Sequence, residues 1–254
     1  WQFSKMLPAS KTFSFGKLRF GYGTVGRAPR AYVTNTVYVS NAYAEGWGGT
    51  LEASQYGGGY RRSGAAGNAE IKPETKTEVE IGTDLRFLDN RLSLSATYYS
   101  NVTEDLIVTL DRPTSSGFSS QEANGAKIEN KGIEVELGGR AVNTSDFQWD
   151  VALNWSRNRN EVTDMLGVQE ISLGGFTGST SSAVLGQQLG VIWGDRWDRD
   201  ANGNLVLDES GFPQLAATPG VLGDPNPDWR GGITNTFTYK RLSLSVLVEH
   251  FQGG

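Results

Sequence analysis

The sequence predicts an all-β chain, part of an antiparallel, up-and-down transmembrane β-barrel with long loops on one rim. The first ground is a two-residue period. Between Thr75 and Asn101, Val79, Ile81, Leu85 and Phe87 take odd positions against Glu78, Glu80, Asp84 and Arg86. After Leu88-Asp89-Asn90-Arg91 the parity reverses, and Leu92, Leu94, Ala96 and Tyr98 alternate with Ser93, Ser95, Thr97 and Tyr99. This is a hairpin with one apolar and one polar face. The second ground is composition: 254 residues with 33 Gly, 11% aromatics and only 37% hydrophobic residues are rich in turns and poor in soluble core. No stretch approaches the roughly 18 uninterrupted apolar residues of a membrane helix, so a bilayer would be crossed by strands. The third ground is the sorting of loop lengths described below.

The absence of Cys removes a disulfide framework and any thiolate metal site. The net charge of −5, with no Lys/Arg stripe against it, argues against nucleic acid as a partner. The sequence opens Trp1-Gln2-Phe3, without an initiator Met or a signal peptide. It reads as a chain that starts in the middle of something.

In chain order, Phe13 to Gly26 sets Phe13, Phe15, Leu18, Phe20 and Tyr22 among Lys17 and Arg19, and is a strand. From Arg27 to Pro73 periodicity is lost over about fifty residues, far longer than the loops of compact domains. The hairpin above comes next, followed by an irregular stretch from Arg112 to Gly125. A strand from Lys131 to Gly139 sets Ile133, Val135 and Leu137 against Glu134 and Glu136. The turn Asn143-Thr144-Ser145-Asp146 precedes the most regular strand, in which Phe147, Trp149, Val151, Leu153 and Trp155 alternate with Gln148, Asp150, Ala152, Asn154 and Ser156. Asn158 to Arg230 reads as mostly irregular, with small elements around Leu189 to Trp197. The hairpin Gly231 to Tyr239 and Leu242 to Phe251 closes the chain, and no tandem repeat at a fixed period is evident.

The joins near Asp89-Asn90, Thr144-Ser145 and Lys240-Arg241 are short, and those between the hairpins are long. An up-and-down barrel sorts its connections in this way, with short periplasmic turns and long extracellular loops, whereas a Greek-key sandwich need not. Phe147 to Trp155 spans about 26 Å at ~3.3 Å per residue, or about 20 Å vertically when tilted, close to the apolar band of such barrels. Phe87, Leu94, Val135, Trp149, Val151 and Leu153 are therefore expected to face lipid, and Glu80, Asp84, Glu136, Asp150 and Asn154 the lumen. Tyr32 to Tyr60 and Phe176 to Trp229 are expected at the extracellular rim. The alternative from the same pattern is a soluble, secreted β-sandwich that binds carbohydrate through exposed Trp and Tyr, stabilised by calcium.

Several segments, taken together, resemble the SusC/RagA-like TonB-dependent outer-membrane transporters of Bacteroidetes. Lys17-Leu18-Arg19-Phe20-Gly21-Tyr22-Gly23-Thr24-Val25-Gly26 is similar to that family's LKLRxSYGxxGN strand, with Arg27 in place of the usual Asn. Ile71-Lys72-Pro73-Glu74-Thr75 with Glu78 and Gly82 resembles LKPETxxxxExG, and Ile128 to Glu134 resembles the NxGxE strand start. Asn154-Trp155-Ser156-Arg157-Asn158 with Asn160, Glu161 and Val162 resembles NxSxNxNxV. Gly186, Gly190, Trp193 and Gly194 resemble GxPxGxxxG, and Gly223 to Trp229 resembles IGxPxPD. The resemblance implies a barrel of roughly 22 strands with a plug, energy coupling through a TonB complex, a SusD-like surface lipoprotein as lid, and a glycan or peptide cargo. It also implies that residues 1–254 are the C-terminal-side part of the barrel, with the plug and the final strands outside them. About seven or eight strands with such polar inward faces do not fill a small barrel, so unpaired edges are expected near Phe13 and Phe251.

Catalysis finds no support. His250 is the single His and lies within a strand, and the pairs Glu78/Glu80 and Glu134/Glu136 follow from acids at every second position of a wall. The sharper pattern is Asp198-Arg199-Asp200-Ala201-Asn202-Gly203-Asn204-Leu205-Val206-Leu207-Asp208-Glu209, which fits D-x-[DN]-x-[DN]-G-x5-E. In that pattern Asp198, Asp200, Asn202, Asn204 and Glu209 would offer oxygen ligands to Ca2+, with Gly203 at the bend. Flanking helices are missing, and an Asp/Asn/Gly turn between short strands explains the same residues.

Overall fold

The computed structural model describes residues 1–8, 10–40, 43–44, 50–51, 58–176 and 178–254. Among them are sixteen strands and no α-helix: β1 (Phe13–Arg27), β2 (Tyr38–Ser40), β3 (Tyr43–Ala44), β4 (Thr50–Leu51), β5 (Tyr60–Arg62), β6 (Ala65–Ala66), β7 (Glu74–Phe87), β8 (Leu92–Asp111), β9 (Ser120–Asn143), β10 (Phe147–Asp164), β11 (Glu170–Phe176), β12 (Ser179–Val184), β13 (Val191–Gly194), β14 (Gly220–Gly223), β15 (Trp229–Tyr239) and β16 (Leu242–Gln252). The long strands form one sheet in the order β1-β7-β8-β9-β10-β15-β16, with β6 pairing β9 in parallel. A second sheet runs β11-β12-β13-β14, and β2 pairs β5 and β3 pairs β4.

The chain divides into two units. The first is Trp1–Thr24, Thr77–Val102 and Ile128–Gly254. Its buried apolar residues are Ile128 in β9, Val162 and Met165 at the end of β10, and Ile171, Ala183, Val184 and Val191 in the four-stranded sheet. Its long strands bury almost nothing. Leu18, Phe20, Ile81, Ile133, Leu153, Leu244 and Val248 are all exposed, Phe20 at 73%. Such a run of exposed apolar side chains is not covered by a second sheet, as a sandwich would require.

The second unit is Val25–Lys76 and Thr103–Lys127. Polar side chains hold it together. Buried Glu74 accepts from Arg27 Nη2 at 2.8 Å and from the Ile107 backbone N–H at 2.9 Å. Buried Glu122 pairs with Arg30, and the Asn124 amide bonds both polar backbone groups of Lys72 and the Asp105 carbonyl.

The expected hairpins form where the alternation places them. The turn after β7 takes Leu88, Asp89 and Asn90 through positive φ, a conformation that Asn and Asp tolerate best. Two expectations need correction. Strand β9 begins at Ser120, within a stretch read as irregular, because Ser120 to Gly125 carries no apolar alternation although its backbone is paired. Residues 158–230 are also more regular than expected: β10 runs on to Asp164, and β11 to β14 form a sheet of their own. Residues 41–42, 45–49, 52–57 and 177 of the two expected rim loops lie outside the described residues.

Candidate functional site: a charged wall behind an apolar belt

The strand registers settle the two faces of β10, β15 and β16. Trp149 stands beside Phe237 and Leu244, Val151 beside Asn235 and Val246, and Leu153 beside Ile233 and Val248. The intervening rows on the opposite face are Asp150, Thr236 and Ser245, then Ala152, Thr234 and Leu247, with Asn154, Gly232 and Glu249 next beyond Leu153. The expected outward residues Trp149, Val151 and Leu153 thus share one face, and the expected inward residues Asp150 and Asn154 the other.

On the polar face Arg19 is the centre of a network across three strands. Its Nη1 lies 3.4 Å from Glu80 Oε1, and its Nη2 donates to Ser95 Oγ at 3.3 Å and Thr97 Oγ1 at 2.9 Å. Its Nε lies 3.3 Å from Asp84 Oδ2, an ion pair without hydrogen-bond geometry. Lys17 stands 3.9 Å from the same oxygen, and Ser95 donates to Asp84 Oδ1 at 3.0 Å. Arg19 can cross β7 because Gly82 lies beneath it: a Cβ there would sit 2.8 Å from Arg19 Nη2.

The device recurs two strands on. Tyr99 lies over Gly132 of β9, where an added Cβ would come within 2.3 Å of its ring, and its hydroxyl donates to Asn158 Oδ1 of β10 at 2.9 Å. Asn130, Asn101 and Glu78 link in a chain at 3.2 Å per step, Arg140 pairs with Asp150 at 2.8 Å, and Arg230 donates to Ser156 at 3.0 Å. Of these residues, sequence reading placed Glu80, Asp84 and Asp150 on the inward face and missed the straps; the signal was a long side chain in polar parity beside a strand glycine. Glu134 and Glu136 are exposed on β9, and His250, its ring tilted against that of Trp229 at 5.0 Å, meets Gln252. Neither arrangement sets a nucleophile beside a base.

The segment 198–215 folds as two successive turns of one design. Asp200 Oδ1 accepts the backbone N–H groups of Asn202 and Asn204, each at 2.9 Å, and its Oδ2 accepts Asn204 Nδ2 at 3.2 Å. Eight residues on, Asp208 Oδ1 accepts the N–H groups of Ser210 and Phe212 at 2.8 and 2.9 Å. Gly203 and Gly211 take positive φ at the matching bends, 84° and 85°. Asp200, Asn202 and Asn204 therefore meet in the first turn, whereas Glu209 lies in the second, and the five residues do not surround one point. Asp200 spends its oxygens on its own turn, Asn204 is its donor, Glu209 belongs to the second turn, and no group of three acidic, His or Cys residues able to hold a metal occurs among the described residues. The donor set does not fit a Ca2+ cage, which needs six to eight converging oxygens.

The family model for the TonB dependent receptor-like β-barrel matches residues 1–246. The chain belongs to that family. Among curated proteins it is 28% identical along its whole length to TonB-dependent receptor P3 of Formosa agariphila, covering 27% of that protein. It is 27% identical over 92% of its length to TonB-dependent receptor SusC of Bacteroides thetaiotaomicron, covering 24% of it. Among solved structures, that of the RagAB peptide transporter superposes with a TM-score of 0.75 at 22% identity, over 99% of this chain and 28% of that one, which shows the shared fold. The chain thus spans about a quarter of the length of the curated relatives it matches.

An open sheet is what a quarter of such a barrel requires. Strands β1 and β16 end the sheet order and do not pair with each other among the described residues; the Trp1 backbone exchanges two bonds with Leu18 of β1 at 2.9 and 2.8 Å. In this TonB-dependent receptor barrel segment, the apolar belt and the charged wall are the two faces of one open sheet.

Proposed function

We propose that this chain is barrel wall from an outer-membrane, TonB-dependent importer that takes up a glycan or peptide too large for porins, together with a SusD-like surface lipoprotein. The observation that carries the reading is the pairing of faces. An exposed belt of Leu, Val, Ile and Phe backs a wall of paired charges, as lipid on one side and a wet or plugged lumen on the other would demand. The short turns at 88–91, 144–146 and 240–241 lie on one rim and would be periplasmic. The opposite rim, with β11 to β14 and the twin turns, would face the lipoprotein and the cargo. TonB would act through parts of the protein outside this chain.

The test is made on the full-length protein in its own outer membrane. Migration should be heat-modifiable, a surface lipoprotein should co-purify in detergent, and uptake of labelled oligosaccharide or peptide should fall to background when the gene is deleted or the proton gradient collapsed. A protein soluble without detergent would sink the reading in favour of a secreted carbohydrate-binding one.

A further inference from the structure

Five rows cross the apolar face of β10, β15 and β16: Phe147–Tyr239–Leu242, Trp149–Phe237–Leu244, Val151–Asn235–Val246, Leu153–Ile233–Val248 and Trp155–Gly231–His250. The fifth lies farthest from the short turns, and there the belt ends in rings. Gly231 sits between two indoles, where an added Cβ would lie 3.5 Å from Trp229 Cζ3 and 3.6 Å from Trp155 Cδ1, and the His250 ring is 5.0 Å from that of Trp229. Next on this face, two residues beyond Trp155, is Arg157. Its parity is fixed from both sides: Ser156 pairs with Arg230 on the wall, and Asn158 receives the Tyr99 strap there. Of the other cations in that parity, Arg159 is engaged by Asp228, and Lys131 of β9 by Glu129. Arg157 is exposed and has no partner among the described residues. Glu161, the carboxylate in the same parity on β10, stands four residues farther on, about 13 Å at ~3.3 Å per residue, too far to neutralise it.

We propose that Arg157 binds the phosphate of a phosphorylated glycolipid in the outer leaflet, with the sugar against the indoles of Trp155 and Trp229. The inference rests on the reading of the belt as lipid-facing and of the short turns as periplasmic. Two residues past Trp155 raise Arg157 by about 5 Å on a strand tilted roughly 40°, from the edge of the apolar band into the headgroup layer. A lone guanidinium above hydrocarbon calls for an anion at its own depth, and its planar fork matches two oxygens of one phosphate. The indoles, at the same depth, offer flat faces to a sugar ring. A phospholipid would supply the phosphate and leave those faces without a sugar.

The test uses the full-length protein, purified in detergent, stripped of lipid and titrated with glycolipid extracted from the same outer membrane. Arg157→Gln should weaken binding about tenfold, as the loss of one charge-assisted pair would. Removing the phosphates from the glycolipid should weaken its binding to the unsubstituted protein by as much, and to Arg157→Gln no further. Heat-modifiable migration shows that both proteins are folded. Full affinity in Arg157→Gln, equal binding of the dephosphorylated glycolipid, or phosphatidylglycerol or inorganic phosphate binding as tightly as the glycolipid overturns the site and leaves the transport reading standing. A protein that leaves the membrane without detergent overturns both.

Discussion

The carboxyl of Asp200 is held below the ordinary carboxylate range, chiefly by the Asn204 side-chain amide and then by the Asn204 backbone N–H. A depressed value in the folded state means the turn gains from ionisation above the unfolded value of about 3.9 and loses that gain as pH falls through the lower folded value. Hydrogen exchange at the Asn202 and Asn204 amides, corrected for intrinsic rates, should therefore become faster in acid below about pH 4. Asp200→Ala should speed it at every pH, while Glu209→Ala should not. Equal effects of the two substitutions, reversed by added calcium, would restore the metal reading. The residues D-x-N-G were legible as a tight bend; what spacing alone did not show is that the repeated Asp-x-x-Gly at Asp208 makes a second turn and claims Glu209. The Tyr99 strap belongs to the same scale. Tyr99→Phe should cost about 1 kcal/mol in denaturant unfolding of the full-length barrel, one hydrogen bond, and Gly132→Ala more, because the ring must leave its seat. Two neutral substitutions would show that the strap contributes nothing.

Strands β8, β9 and β10 run to 20, 24 and 18 residues, well past the stretches in which apolar residues alternate. Alternation is written only where one face is apolar and the other polar; beyond that height both faces are polar, as in Arg157 to Glu161, and the ladder continues without a pattern to betray it. Hence the sequence located each hairpin near its turn and stopped short at the far end. Of the short β11 to β14, only β13 falls among the small elements expected around Leu189 to Trp197; strands of four to seven residues are too short for a period to declare itself. The alternation itself makes a prediction about Val151, in the middle row of the belt. Val151→Arg should destabilise the reconstituted barrel by about 2–4 kcal/mol, and Ala152→Arg, one residue on and facing the wall, by far less. Similar losses at both positions, read from urea unfolding in lipid vesicles, would mean that the faces are not lipid and lumen.

At the scale of the whole molecule, loop sorting and family pattern were legible in the sequence, and so was the expectation that the sheet would not close. The reason is physical: the wall-facing side chains of Lys17, Arg19, Glu80, Asp84, Arg140 and Asp150 find partners along the sheet, at distances up to 3.9 Å, and would be crowded in the narrow, filled interior of an eight-stranded barrel. The wall needs a wide circumference, and the two end strands need neighbours. On β16 Leu242, Leu244, Leu247, Val248 and Phe251 are exposed, Leu242 at 75%, beside an unpaired backbone edge, which is a template for another strand. Residues 1–254 expressed alone and refolded into detergent should therefore aggregate or associate edge to edge, without heat-modifiable migration, whereas the full-length protein should migrate as a compact barrel. In the full-length protein the β16 amides should exchange as slowly as those of β15; in the isolated piece they should exchange faster. A compact, heat-modifiable species from residues 1–254 alone, with Leu18 and Leu247 close enough to cross-link through introduced cysteines, would mean that these strands close on themselves and that the barrel is small.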